Sequence, residues 1–151
     1  MILDELNEFA DALAINTGGA GSYLLGDVID LQTQQIRDIG NGQPVYWVTS
    51  VDTALASATG TFNLSLVSDA QAAIATDGSA TVHATIGGPF LQAALAAGTM
   101  WVRVVPLELP KYERYLGILQ TTATAAFTAG KINSFLTLDP IGWKPYPDAV
   151  N

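Results

Sequence analysis

The single histidine of this 151-residue chain, His83, lies in TVHATI, where Val82, Ala84 and Ile86 alternate with Thr81, His83 and Thr85. An imidazole is the side chain best placed to move protons near neutral pH. Here it falls on the polar side of a strand pattern, with no serine or acid beside it in a nucleophile motif, so an exposed or interface strand position is expected. Glu108, Glu113 and Asp139 are the carboxylates that a glycosidase-type acid–base pair would draw on. ELPKYER reads more simply as a solvated connection in which Lys111 and Arg114 offset the two glutamates. Asp27, Asp30 and Asp38 offer oxygen ligands of the kind calcium takes, but no calcium-loop spacing surrounds them. Nucleophile-elbow, P-loop, dinucleotide and zinc-protease motifs are missing from the sequence. Zero cysteines exclude disulfides, thiol chemistry and cysteine metal sites. The expectation is a chain that is not an enzyme, with no catalytic residues, no cofactor and no metal.

The aromatic residues carry more promise, because large rings bring contact area at little entropic cost and also stack on sugars. Trp47 and Trp101 sit in strand patterns and are expected to fill a core. Trp143 and Tyr146 belong to GWKPYPD, outside any strand pattern, where they must fold back on the domain or dock on a neighbour. Together with Tyr112 and with Leu3, Leu6 and Phe9 of the N-terminal segment, they form the expected interface set.

The elements that would position these residues are mostly strands. Ile2, Leu6, Phe9 and Leu13 fall at helical spacing while FADALAI also alternates at period two, so the N-terminus reads as an arm or short helix. YLLGDVIDL follows as an extended segment, and RDIGNGQP is a turn cluster in which Pro44 forbids helix entry. VYWVTSVD is β-branched and aromatic, and TFNLSLVS alternates cleanly, with Phe62, Leu64 and Leu66 on one face. PFLQAALAAG is either a helical turn or a loop that carries Phe90, Leu91 and Leu95 into the core. TMWVRVVPLEL is a strand whose Pro106 argues for an edge position or a bulge. RYLGILQTTATA and KINSFLTLD flank AFTAG, which reads as a hairpin, and PIGWKPYPDAVN as an extended tail. Six firm strands and one or two weaker ones, without regular βα alternation, predict an all-β fold: an antiparallel two-sheet β-sandwich. Leu116, Ile118, Ile132, Leu136 and Leu138 would face its second sheet.

Composition sets the outer limits. A chain of this length supports one core and one domain, spanning 1–151 with terminal arms. Apolar residues make up 49 % and charged residues only 13 %, so the polar surface must come from Thr, Ser, Asn and Gln, which are cheap to desolvate on assembly. Net charge is −8, and seven of the fourteen acids precede Gly40, where Arg37 is the only basic side chain. Direct binding of nucleic acid or of an anionic membrane is therefore not expected. Asp4, Glu5, Glu8 and Asp11 oppose a signal peptide, and no apolar run is long enough to span a bilayer.

Several segments, taken in order, carry a family likeness: Ile29 to Leu31 (IDL), Arg37 to Gly42 with Pro44, Val51 to Ala54 (VDTA), Tyr115 to Gly117 (YLG) and Phe127 to Pro140. In this ordered set the chain resembles the small capsid cement, or decoration, proteins of short-tailed phages. The resemblance implies a jelly-roll sandwich without catalysis that binds the outer surface of a phage capsid as a small oligomer and stabilises contacts between subunits of the major capsid protein. It also implies self-association, as a homodimer or alternatively a homotrimer, and a place on the virion surface after synthesis in the host cytoplasm. NTGGAGSYLLGDV and the segment from Ala73 to Gly98 depart from the family pattern. The alternative from the residues alone is a receptor- or carbohydrate-binding β-sandwich, in which Trp143, Tyr146 or Tyr112 stacks on a ligand.

Overall fold

The computed structural model describes residues 5–32, 43–86, 88–91, 94–105 and 112–140. Among the described residues a 3-10 turn, Glu5–Asn7, leads into nine strands: β1 (Glu8–Ala14), β2 (Gly21–Asp30), β3 (Val45–Ala56), β4 (Thr61–Asp69), β5 (Thr81–Thr85), β6 (Phe90–Leu91), β7 (Met100–Val105), β8 (Tyr115–Ala123) and β9 (Ala129–Thr137). They form two antiparallel sheets. One has the order β1-β9-β3-β7; the other runs β2-β8-β4-β5, with the two-residue β6 also paired to β4. Apart from β4 to β5 to β6, each strand passes to the opposite sheet from its predecessor, giving the connectivity of a jelly roll.

The expected sandwich is therefore present, with three corrections. AFTAG is not a hairpin: β8 and β9 lie in different sheets, and the intervening residues carry the chain across the sandwich. Phe127, buried in that crossing, meets Phe62 edge to face at 5.8 Å. The short N-terminal helix is present as the 3-10 turn Glu5–Asn7, but residues 8–14, where an arm or helix was also expected, pair with β9 as a sheet edge. Finally, Leu91 and Leu138 are exposed, whereas Leu95 is fully buried as expected.

Alternation explains most of the core. Phe62, Leu64 and Leu66 of β4 meet Phe9, Trp47, Val51, Leu116, Ile118, Ile132 and Leu136 between the sheets. Removing these side chains from water is the main driving force, about 25 cal/mol for each Å² of apolar surface. Several polar groups inside are paired, whereas Ser50 Oγ and Asn63 Oδ1 are buried without a hydrogen-bond partner. The Trp47 indole N–H donates to Ser134 Oγ at 2.8 Å, and Thr49 Oγ1 lies 3.0 Å from the same hydroxyl. Gln120, wholly buried, grips the β1–β2 loop through both backbone groups of Asn16: its Nε2 donates to the Asn16 carbonyl and its Oε1 accepts the Asn16 amide.

A smaller cluster covers the outer face of the second sheet. The loop after β4 lays Ile74 and Ala80 over Val67 and Leu119. Asp69 holds that loop by accepting the Gln71 and Ala75 amides at 3.1 and 2.9 Å. Gly117 leaves the space, because a Cβ there would stand 2.6 Å from the Ile74 Cδ1 methyl.

Candidate functional site

Strand register, not local sequence, gathers the polar residues. Pairing of Ser68 with Thr81 across β4 and β5 brings His83 back over Ser68, whose Oγ lies 2.7 Å from His83 Nε2. The Glu113 amide donates to the same Oγ at 3.0 Å, and Thr81 Oγ1 donates to the Glu113 carboxylate at 3.1 Å. Oγ thus accepts the Glu113 amide and shares a second hydrogen bond with His83 Nε2, in which the imidazole tautomer decides which atom donates. The imidazole stacks on Tyr112 with ring centroids 3.7 Å apart and planes at 13°. A hydroxyl within hydrogen-bond reach of an imidazole is the pairing that a nucleophile and its base use. Ser68, however, has no exposed surface, so its oxygen is turned to the fold rather than to a ligand. This cluster is invisible to local motif reading, because Ser68 lies 15 residues from His83 and 45 from Glu113.

Among the described residues the candidate carboxylates do not converge as glycosidase or calcium chemistry needs. Glu113 stands beside β5, Asp139 follows β9 in the other sheet, and Glu108 lies outside the described residues. Asp30 is clamped by Arg114, whose Nε and Nη2 donate to its two oxygens at 2.9 and 2.7 Å. That fork holds the Asp30 carboxyl down at about 2, below the usual range. Asp27 is elsewhere, lining an open cleft of about 380 Å³ with Glu5, Glu8 and Asp11, and Asp38 falls outside the described residues. In the cleft Glu8 is pushed above its ordinary range, first by burial and then by Asp11, Glu5 and Asp27. Among the described residues no group of three or more acids, histidines or cysteines could hold a metal ion. No helix among them is long and apolar enough to cross a membrane.

The expected interface set divides. Leu6 is 79 % exposed on the 3-10 turn and offers an apolar side chain to solvent. Phe9 and Tyr112 are corrected inward, at 0 % and 1 % exposure: β1 is tied into its sheet and turns Phe9 to the core, while Tyr112 lies beneath His83. Leu3, Trp143 and Tyr146 lie outside the described residues. Exposed apolar side chains that sequence reasoning missed stand on β7: Met100, Val102 and Val104. MWVRVV is apolar at every position but Arg103, so its pattern does not say which face the sandwich covers.

No curated protein matches the chain. The protein-family model described as Bbp16 matches residues 9–136, which runs from within β1 almost to the end of β9.

Proposed function

The chain belongs to the Bbp16 family, and on that footing we propose that it is a capsid cement protein. It binds the outside of a phage shell as a small oligomer and joins neighbouring subunits of the major capsid protein. The observation that carries this role is the ordered resemblance of its strand and turn signatures, from Ile29 to Pro140, to the decoration proteins of short-tailed phages. The physical requirements agree with it. A shell under outward pressure gains from a rigid clip whose own interfaces must be broken before subunits separate, and such a clip needs area and symmetry rather than chemistry. A jelly roll whose polar clusters are spent on its own strands, while apolar side chains remain on a sheet edge, suits that task.

The role carries no catalytic step, cofactor or metal, and no contact with nucleic acid or membrane. It places the protein on the virion exterior after synthesis in the host cytoplasm. The glycan- or receptor-binding alternative loses one of its three rings, because Tyr112 is buried. The test is to add the purified chain to shells that lack it and follow co-sedimentation and thermal rupture. Saturable binding with a raised rupture temperature is expected; shells that neither take up the chain nor gain stability would end the proposal.

A further inference from the structure

We propose that β7 is a self-pairing edge, through which two copies of the chain join antiparallel about a two-fold axis at Val102. The two four-stranded sheets would become one sheet of eight strands. Among the described residues β7 ends its sheet, with β3 on one side and no strand on the other. The Val51 amide donates to the Thr99 carbonyl, and the register runs unbroken from there to Val45 opposite Val105. In an antiparallel ladder alternate residues point their peptide groups to the same side. Trp101, Arg103 and Val105 therefore face β3, and Met100, Val102 and Val104 turn their N–H and C=O groups to the open edge.

The side chains of those same three residues are apolar and 38 %, 41 % and 58 % exposed. Edge strands are ordinarily guarded by charge, a bulge or a covering loop, so a regular strand with an apolar outward stripe is unusual unless it is covered in the assembly. Its pattern is also self-complementary. A two-fold at Val102 sets Met100 opposite Val104 of the second copy, Val102 opposite its own equivalent, and Trp101 opposite Arg103. From Met100 to Val104 each cross-strand pair is then apolar with apolar or indole with guanidinium, the latter a favourable cation–π partnership. An interface about a two-fold requires this reciprocity.

Charge selects β7 over the other edges. A chain of net charge −8 repels its copies. β1 carries Glu8 and Asp11, and β2 carries Asp27 and Asp30, whereas β7 holds Arg103 and no acid. The remaining edge, β5, has five residues and a register shift opposite Leu66 and Val67. Antiparallel pairing of one edge with itself closes at two copies, which selects a dimer over a trimer. A strand of the shell protein is the competing occupant of this edge.

This inference deepens the self-association in the proposed cement role but does not need a shell to be tested. The native chain has no cysteine, so one introduced thiol reports one position. Light scattering after size exclusion is expected to give twice the chain mass for the native protein and the single chain mass for Val102→Glu, with an unchanged circular dichroism spectrum. Val102→Cys should form a reducible disulfide dimer under mild oxidation at least tenfold faster than Val82→Cys on the β5 edge. A monomeric native chain, a dimer that survives Val102→Glu, or equal cross-linking at both positions would overturn the proposal. A dimer through β7 that ignores shells would remove the cement role and leave this inference standing; a monomer that coats shells would do the reverse and point to a shell strand on β7.

Discussion

Ser68 shows how a single hydroxyl can organise the end of a sheet. It accepts the Glu113 amide just before β8 and reaches His83 on β5, so one buried oxygen joins three consecutive stretches of the second sheet. Ser68→Ala leaves the Glu113 amide without that acceptor in a closed site, and a buried donor left unmade costs about 1–3 kcal/mol. Urea denaturation is expected to show a loss of that size; an unchanged midpoint would mean that the amide finds another acceptor. Asp30 and Arg114 act at the surface instead. Because the folded carboxyl is held at about 2 against an ordinary 3.8, its contribution is present above the ordinary value and lost as pH falls from there through about 2. Arg114→Lys keeps the charge but loses the two-pronged fork. A carbon-13 titration of the Asp30 carboxyl should then move up toward its ordinary midpoint, and a midpoint still near the native one would show that the backbone, not the fork, depresses it. None of these pairs was legible in the sequence. Arg114 and Asp30 are 84 residues apart, and only the pairing of β2 with β8 makes them neighbours.

Strands themselves were largely legible, and their partners were not. Phe62, Leu64 and Leu66 alternate with Thr61, Asn63 and Ser65 on a half-buried strand, and period two alone finds β4. AFTAG looks like a hairpin because hairpins and sheet-crossing loops draw on the same small residues and glycine. The difference lies in whether the flanking strands share a sheet, which depends on partners far away in sequence. β1 was ambiguous for another reason: its pairing with β9 is interrupted at Ala10 and Leu13, so its apolar residues keep neither strand nor helix spacing over its whole length. The Asn133 side chain accepts the Ala12 amide inside that irregularity. Gly26 marks the place where β1 and β2 come closest. Its φ is +67°, and a Cβ would sit 1.8 Å from the Phe9 carbonyl oxygen, so both conformation and space demand glycine. Gly26→Ala is expected to destabilise the fold by about 2–4 kcal/mol, since it combines a strained dihedral with a clash against backbone. Gly78→Ala provides the control: φ there is +94°, but nothing lies within 4 Å of the added methyl. Comparable losses in the two variants, measured by thermal unfolding, would show that strain alone matters and that the β1–β2 approach is loose.

Taken as one body, the molecule distributes its charge unevenly, and that much was readable from the seven acids ahead of Gly40. The fold sharpens the imbalance by bringing Glu5, Glu8, Asp11 and Asp27 around one cleft at the β1–β2 end of the sandwich. Glu8 bears the consequence. Its pKa is raised above 4.5, so the folded protein binds a proton more readily than the unfolded chain. The sign follows from linkage: the favourable contribution is fully present below the ordinary value and disappears as pH rises through the raised folded value, leaving a charged Glu8 that opposes folding at neutral pH. Glu8→Gln should therefore be more stable than the native protein at pH 7 by a few tenths of a kcal/mol, about 0.3, as befits a partly solvated site. At pH 3, where both side chains are neutral, the difference should vanish. Burial outranks the three neighbouring acids as the cause of the shift, so high salt, which screens only the neighbours, should remove part of the gain and leave the rest. Denaturant midpoints for both proteins at the two pH values, each at low and high salt, separate these contributions. A gain abolished by salt would make the cleft a matter of repulsion alone. A loss at pH 7 would show that the ionised Glu8 is holding something in place.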